Sequence, residues 1–209
     1  ADIMTDDGGD DLVIGDHGLI TYMAGMTLAV ASRHHTEGGD DDITLTAGSN
    51  WVIGGSGADT INSAAGSDFI LGDNGAFNWL NGELSSMQSL DASIGANDTI
   101  TLGEGDKTVI GGFGVDTITT GAGNDDILGD NGRIDYAAGI ATQLQTSDTD
   151  ASTTGDDIIQ ALDDVVVITG AGDYNQVDQG FEIIDAANAV ISLLAVLIGG
   201  IGVMNTMIM

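Results

Sequence analysis

The chain contains no cysteine and no proline, and only three of its 209 residues are basic. Without cysteine it can form neither a disulfide framework nor a thiolate metal site. The basic residues, Arg33, Lys107 and Arg133, are too few for a nucleic-acid partner, which requires a positively charged surface. The sequence also lacks HExxH, GxSxG and Walker motifs. We therefore expect neither nucleic-acid binding nor enzymatic activity.

Acidic residues and glycine are abundant instead. The chain has 33 acidic residues, a formal net charge of -30 and 33 glycines, yet 42% of its residues are hydrophobic. That hydrophobic fraction is too high for an acidic disordered tail, while the charge opposes a compact state through self-repulsion. A hard divalent cation that prefers oxygen ligands, calcium or magnesium, is the simplest neutralising partner.

Two periods organise the sequence. The pairs Gly15-Asp16, Gly72-Asp73 and Gly129-Asp130 recur every 57 residues. Within each unit a nine-residue period places glycine at the fourth position, mostly aspartate at the sixth and an aliphatic residue at the eighth. Each nonapeptide therefore predicts a glycine-rich turn followed by a very short strand with one inward side chain. Because such strands cannot form a core alone, the pattern predicts a parallel solenoid with an aliphatic interior.

The nonapeptides resemble a known family. The segments "GGSGADTIN" at 54–62 and "GGFGVDTIT" at 111–119 match the GGxGxDxUx motif of repeats-in-toxin (RTX) proteins. The resemblance extends over residues 6–160. It implies an all-β fold, a right-handed parallel β-roll in which two nonapeptides form one coil. It also implies that several Ca²⁺ ions lie between the turns of adjacent coils.

This resemblance assigns ligand roles to the repeated positions. In a roll with two nonapeptides per coil, Asp41 and Asp59 stack on one edge, as do Asp98 and Asp116. The predicted carboxylate ligands are Asp11, Asp41, Asp59, Asp68, Asp98, Asp116, Asp125 and Asp157. Carbonyl ligands are predicted from the turn glycines Gly39, Gly55, Gly57, Gly66, Gly112, Gly114 and Gly123.

Two features leave the ligand pattern open. The second-position aspartates Asp16, Asp73 and Asp130 are either ligands or residues that shape the turn. Lys107 occupies an aspartate position, and because a protonated amine cannot ligate a metal, we expect the site at that turn to be missing or altered.

Three regions are predicted along the chain. Residues 1–160 form the roll, with insertions near 24–35, 81–92 and 138–151 that leave it as loops or hairpins. Before the second insertion, the frame containing Phe77 and Trp79 closes the ligand ladder with an apolar turn. Residues 161–185 form degenerate capping coils.

Residues 186–209 form an apolar, helical tail without a charged residue. The tail is long enough to span a bilayer, but no Lys or Arg flanks it, which favours burial in an assembly or a cap over a membrane anchor.

These observations predict a secreted or cell-surface calcium-binding module with a structural or adhesive role. We expect it to be disordered without calcium and β-rich with it, and to self-associate through its ends or its tail into a filament. Two alternatives remain. The chain is the calcium-folded C-terminal portion of a toxin or hydrolase that serves secretion, or it is a membrane-tethered module.

Overall fold

The computed structural model describes residues 1–147, 157–162 and 165–168, which contain strands and turns and no helix. The described strands in chain order are β1 (Ile3–Thr5), β2 (Leu12–Ile14), β3 (Gly18–Met23), β4 (Met26–Ser32), β5 (Asp42–Ala47), β6 (Trp51–Gly55), β7 (Thr60–Ala65), β8 (Asp68–Asp73), β9 (Gly75–Leu80), β10 (Glu83–Ser89), β11 (Thr99–Leu102), β12 (Lys107–Gly112), β13 (Thr117–Thr119), β14 (Asp125–Asp130), β15 (Gly132–Ala137), β16 (Ile140–Thr146), β17 (Ile158–Gln160) and β18 (Val165–Ile168).

Two six-stranded parallel sheets form the roll. Sheet A has the order β1-β5-β7-β11-β13-β17, and sheet B has the order β2-β6-β8-β12-β14-β18. Consecutive roll strands alternate between the two sheets, so each coil contributes one strand to each sheet. This arrangement confirms the predicted all-β parallel roll.

The eighth-position aliphatic residues lie in register. In sheet A, Ile43 pairs with Ile61, which pairs with Ile100, and Ile100 pairs with Ile118. Val52, Ile70, Val109 and Ile127 form the corresponding row in sheet B. All eight side chains are fully buried. The nine-residue period therefore identified the inward-facing positions correctly, because side chains alternate between the faces of a strand.

A third sheet covers the outer face of sheet B. Sheet C is antiparallel, with the order β16-β15-β10-β9-β4-β3, and consists of three stacked hairpins. Two residues of positive φ form each hairpin turn, such as Asn81 and Gly82 in the second. This backbone conformation suits the tight turns that join antiparallel strands.

The hairpins begin at Gly18, Gly75 and Gly132, which lie before the predicted insertions near 24, 81 and 138. The frame with Phe77 and Trp79 was expected to close the roll as a turn. Instead it forms β9, the first strand of the second hairpin.

Two separate cores follow from the three layers. The first core, between sheets A and B, consists of Ile43, Leu45, Val52, Ile61, Ile70, Ile100, Leu102, Val109, Ile118, Ile127, Ile159 and Ala161. The second, between sheets B and C, consists of Val30, Ile53, Leu71, Phe77, Met87, Ile110, Leu128 and Ile134. Aromatic side chains flank the second core, where the Trp51 ring stacks on Phe69 with centroids 5.7 Å apart.

Several predictions concern residues outside the described ranges. Most of the predicted capping coils at 161–185 and the whole apolar tail at 186–209 lie there. Within the described part of the chain, no helix has the length and apolar character that a bilayer-spanning segment requires.

The second core predicts a large penalty for truncating its central aromatic residue. Phe77→Ala should lower the free energy of unfolding in saturating calcium by about 3–5 kcal/mol, the cost typical of a buried Phe→Ala cavity. Urea unfolding monitored by circular dichroism measures this. Leu80→Ala is the matched control, since Leu80 lies at the tip of the same hairpin with 64% exposure. A small and equal effect of both substitutions would show that sheet C does not stabilise the roll.

Candidate metal centre

The coils turn at two edges that differ in charge. The aspartate edge lies at the starts of the sheet A strands and contains Asp41, Asp59, Asp98, Asp116 and Asp157. The lysine edge lies at the starts of the sheet B strands and contains Asp11, Asn50, Asp68, Lys107 and Asp125. The structure therefore brings the predicted carboxylates together as two rows, one of which is uninterrupted.

Hydrogen bonds join the aspartate edge into a ladder. The backbone N–H of each aspartate donates to the Oδ1 atom of the aspartate in the next coil. The four bonds are all 2.8 Å long and run from Asp41 to Asp59, from Asp59 to Asp98, from Asp98 to Asp116 and from Asp116 to Asp157. One oxygen of each accepting carboxylate thus ties two coils together.

The second carboxylate oxygens are buried without a donor. The Oδ2 atoms of Asp41, Asp59, Asp98 and Asp116 accept no hydrogen bond, and the four side chains are at most 3% exposed. A buried ionised oxygen without a partner is strongly unfavourable. A cation beside each of these Oδ2 atoms would therefore stabilise the ladder.

Glycines make room for these oxygens. A Cβ atom built on Gly54 would collide with both Asp59 Oδ2 and the carbonyl oxygen of Gly72. Similar pairs of one carboxylate and one carbonyl oxygen surround Gly15, Gly72 and Gly111. At four successive turns, an unpartnered Oδ2 thus lies beside a backbone carbonyl of a neighbouring coil.

Burial raises the pKa of the ladder carboxyls. The pKa of Asp59 and that of Asp116 rise to about 7, chiefly through desolvation. Desolvation, followed by the nearby charges of Asp73 and Asp116, raises the pKa of Asp98 to about 10. Asp73 itself has a pKa of about 9, again mainly because it is buried. These shifts reflect burial and the like charges of neighbouring aspartates along the row.

The lysine edge supplies an internal counter-charge to one of its carboxylates, Asp68, whereas the Oδ2 atoms of Asp11 and Asp125 are buried without a hydrogen bond. The Lys107 ammonium lies 2.9 Å from Asp68 Oδ2, and both side chains are fully buried. Asp68 Oδ1 accepts the side-chain amide of Asn50 at 2.9 Å. Asp125 Oδ1 accepts the Lys107 backbone N–H at 2.9 Å, and Asp11 donates its N–H to Asn50 Oδ1 at 3.1 Å. The two edges thus hold their carboxylates in different ways.

The second-position aspartates contact backbone amides. Asp73 Oδ1 accepts the N–H of Ala96 at 3.1 Å, and its Oδ2 accepts that of Phe113 at 2.5 Å. Asp16 accepts the amides of Gly39 and Ser56 in the same way. Each carboxylate therefore bridges two successive turns of the aspartate edge. Asp130 occupies the corresponding position 57 residues after Asp73 and is buried.

The predicted ligand glycines lie in the turns of both edges. Gly57 and Gly114 have φ values of 126° and 135°, which only glycine adopts readily, and they pack against the backbone of the preceding coil. Gly55 and Gly112 adjoin the carboxylates of Asp16 and Asp73. Gly39, Gly66 and Gly123 belong to neighbouring turns, and the Gly66 carbonyl accepts a hydrogen bond from the Lys107 ammonium.

The arrangement fits a hard cation held partly by the backbone. Among the described residues, no three acidic or histidine side chains converge on one point. An ion at the aspartate edge must therefore combine carboxylate oxygens with turn carbonyls, a mixture that Ca²⁺ accepts readily. The buried Oδ2 atoms and the adjacent carbonyls supply oxygen donors of this kind.

Two parts of the site were missed by sequence reasoning. The backbone N–H of Asp2 donates to Asp41 Oδ1 at 2.6 Å and so extends the ladder by one coil. Its spacing of 39 residues from Asp41 equals that between Asp59 and Asp98, which was the available signal. The role of Gly54 and its equivalents was also missed, although a glycine follows the aliphatic pair of β2, β6, β8, β12 and β14.

The raised carboxyl pKa values predict how pH affects the calcium-free protein. A carboxyl whose pKa rises on folding binds its proton more tightly in the folded state, so it stabilises the fold below its unfolded value near 4. This stabilisation is lost as pH rises toward about 7 for Asp59 and Asp116 and further for Asp98. Calcium-depleted protein should therefore be more β-rich at pH 4.5 than at pH 7.5 in circular dichroism.

Saturating calcium should weaken or reverse this trend, because the ion binds the deprotonated carboxylates. A calcium-depleted protein that is more β-rich at pH 7.5 than at pH 4.5 would contradict the prediction.

Comparison with known proteins identifies the repeats. The family model described as the RTX calcium-binding nonapeptide repeat matches in four copies, over residues 35–70 and 103–133. No curated protein and no solved structure matches the chain. The matched residues include Asp41, Asp59 and Asp116 of the ladder and the turns around Asp68 and Asp125. RTX nonapeptide repeats bind Ca²⁺, and residues 35–70 and 103–133 of this chain carry such repeats within an all-strand parallel β-roll.

Proposed function

We propose that the chain is an extracellular structural module whose coils are locked together by Ca²⁺ along the aspartate edge. The row of buried Oδ2 atoms that accept no hydrogen bond supports this proposal most directly. Secretion is typical of RTX proteins, and extracellular calcium can fold such a module after export. An ion between successive turns would supply the missing positive charge and link neighbouring coils.

The proposed carboxylate ligands are Asp41, Asp59, Asp98 and Asp116, with Asp157 continuing the row and carbonyls of the adjoining turns completing each site. Asp11 and Asp125 remain candidates on the lysine edge. Asp68 is a weaker candidate, since Lys107 and Asn50 already contact both of its oxygens. Asp73, and Asp130 by its equivalent position, are proposed to shape the turns.

Calcium titration tests this assignment. Calcium-depleted protein at pH 7.5 should be largely disordered and should become β-rich as calcium is added, since the ion neutralises the ladder. Asp59→Asn preserves an oxygen for the Oδ1 hydrogen bond but removes the charge. It should raise the calcium concentration at the folding midpoint by about tenfold, equivalent to ~1.4 kcal/mol.

Asp40→Asn is the matched control for this titration. Asp40 lies on the same edge, is exposed, and is not one of the proposed calcium ligands. Its substitution should leave the midpoint nearly unchanged. Spectra of the native chain that are identical with and without calcium would refute the proposed function, as would equal midpoints for the two variants.

The open end of the roll supports self-association. Strands β1, β2 and β3 lie at the same end of the three sheets, and unpaired edge strands are templates for pairing with another chain. Large apolar side chains are exposed there, including Ile3 at 80%, Leu19 and Tyr22. We propose that a second copy of the chain docks on this end, which would extend the module into a filament.

Sedimentation and electron microscopy in calcium test the filament. The native chain should form elongated polymers, and Leu19→Lys should reduce them, because a charged side chain on an edge strand opposes pairing. Leu80→Lys introduces the same charge at an exposed hairpin tip away from the end and should leave assembly intact. A native chain that remains monomeric in calcium would favour the alternative, a calcium-folded portion of a toxin or hydrolase.

A further inference from the structure

Lys107 is a fully buried cation in the middle of the lysine edge. Its side chain and that of Asp68 have no solvent exposure. The ammonium donates to Asp68 Oδ2 at 2.9 Å, to the carbonyl oxygen of Glu104 at 3.1 Å, and to the carbonyl oxygen of Gly66. One carboxylate and two turn carbonyls therefore surround a single positive charge.

The contacts of Asp68 match those of the aspartate edge except that Oδ1 also accepts the Asn50 side-chain amide and Oδ2 has a partner. Asp68 Oδ1 accepts the backbone N–H of Asn50 at 3.2 Å, as Asp59 Oδ1 accepts that of Asp41 at 2.8 Å. The Oδ2 atom differs, because it binds the Lys107 ammonium in Asp68 and accepts no hydrogen bond in Asp59. The ammonium thus occupies the role that the aspartate edge leaves to an external cation.

The oxygen atoms that accept hydrogen bonds from the ammonium come from two successive turns. Gly66 and Asp68 belong to one turn of the lysine edge, whereas Glu104 and Lys107 belong to the next, and β8 pairs directly with β12 at Lys107 and Asp68. A hard divalent cation uses the same kinds of oxygen donor to link coils. A lysine side chain reaches these oxygen atoms only because its long aliphatic stem is buried along the edge.

We propose that Lys107 is a covalently tethered cation that replaces a metal ion at this junction. The junction joins the first 57-residue unit to the second, so the lysine-edge contact between the two units is neutralised without calcium. At this junction, calcium dependence is then concentrated on the aspartate edge, where Asp59 contacts Asp98. The inference rests on the proposed function only in its claim that an ion could take the place of the ammonium.

Ion counting in Lys107→Asp tests the replacement. The substitution removes the ammonium and supplies an additional carboxylate beside Asp68 Oδ2 and the two carbonyls. Isothermal titration with Ca²⁺ should detect one more bound ion per chain than in the native protein. Arg133→Asp changes the net charge equally on the exposed face of sheet C and should add none. An unchanged ion count in Lys107→Asp, or failure of this variant to fold at any calcium concentration, would overturn the proposal.

Lys107→Met provides a test that does not depend on calcium binding. It retains an unbranched apolar stem but leaves Asp68 without its counter-charge, and it adds no metal ligand. Its urea midpoint should lie below that of the native chain both in calcium at pH 7.5 and after calcium depletion at pH 4.5, with no additional ion bound. A midpoint equal to that of the native chain would overturn the inference.

The two proposals fail in different ways. If the native chain binds no calcium, the proposed function is wrong. The proposal for Lys107 is then tested by the urea midpoint of Lys107→Met at pH 4.5. The calcium-depleted chain is expected to be most ordered at that pH. If the native chain binds calcium but Lys107→Asp gains no ion, only the inference about Lys107 is wrong.

Discussion

Stacked, buried carboxylates are the constraint on which the rest of this structure depends. Along the aspartate edge, Asp41, Asp59, Asp98 and Asp116 lie in consecutive coils, each with one oxygen bound to a backbone N–H and one without a donor. The hydrogen bonds hold the coils in register, while the remaining charges repel one another in a poorly solvated setting. A fold that concentrates like charge in this way needs a counter-charge between its coils.

The two edges meet this requirement differently, and the third sheet limits how much depends on it. The lysine edge carries its own cation, Lys107, and a neutral residue, Asn50, whereas four successive carboxylates of the aspartate edge each have an Oδ2 atom without a hydrogen-bond donor. Sheet C adds a second apolar core around Phe77 and Met87, which is independent of any ion. The side of the roll formed by sheets B and C is therefore stabilised by apolar burial, whereas the aspartate edge concentrates buried carboxyl groups whose pKa values are raised.

Sequence periodicity was informative wherever one coil repeats the next. Ile43 and Ile61 were correctly predicted to face the interior, and Asp41 and Asp59 to share an edge, because within a unit each position repeats every 18 residues and stacks on its equivalent. Phe77 was misassigned because its frame still resembles a nonapeptide, although its side chain packs between sheets B and C. Whether a strand belongs to the roll or to a hairpin depends on its partner strand, which the local pattern does not identify.

The sequence alone determined the repeat, its glycine-rich turns, the inward aliphatic rows and the need for an oxygen-binding cation. These follow from local spacing, since side-chain direction and turn conformation depend on neighbouring residues. Only the tertiary structure decided that Asp73 bridges two backbone amides and that Lys107 is bound by Asp68 and two turn carbonyls. All of those contacts except the one between Lys107 and Glu104 join residues 23 to 41 positions apart, so they form only when neighbouring coils stack.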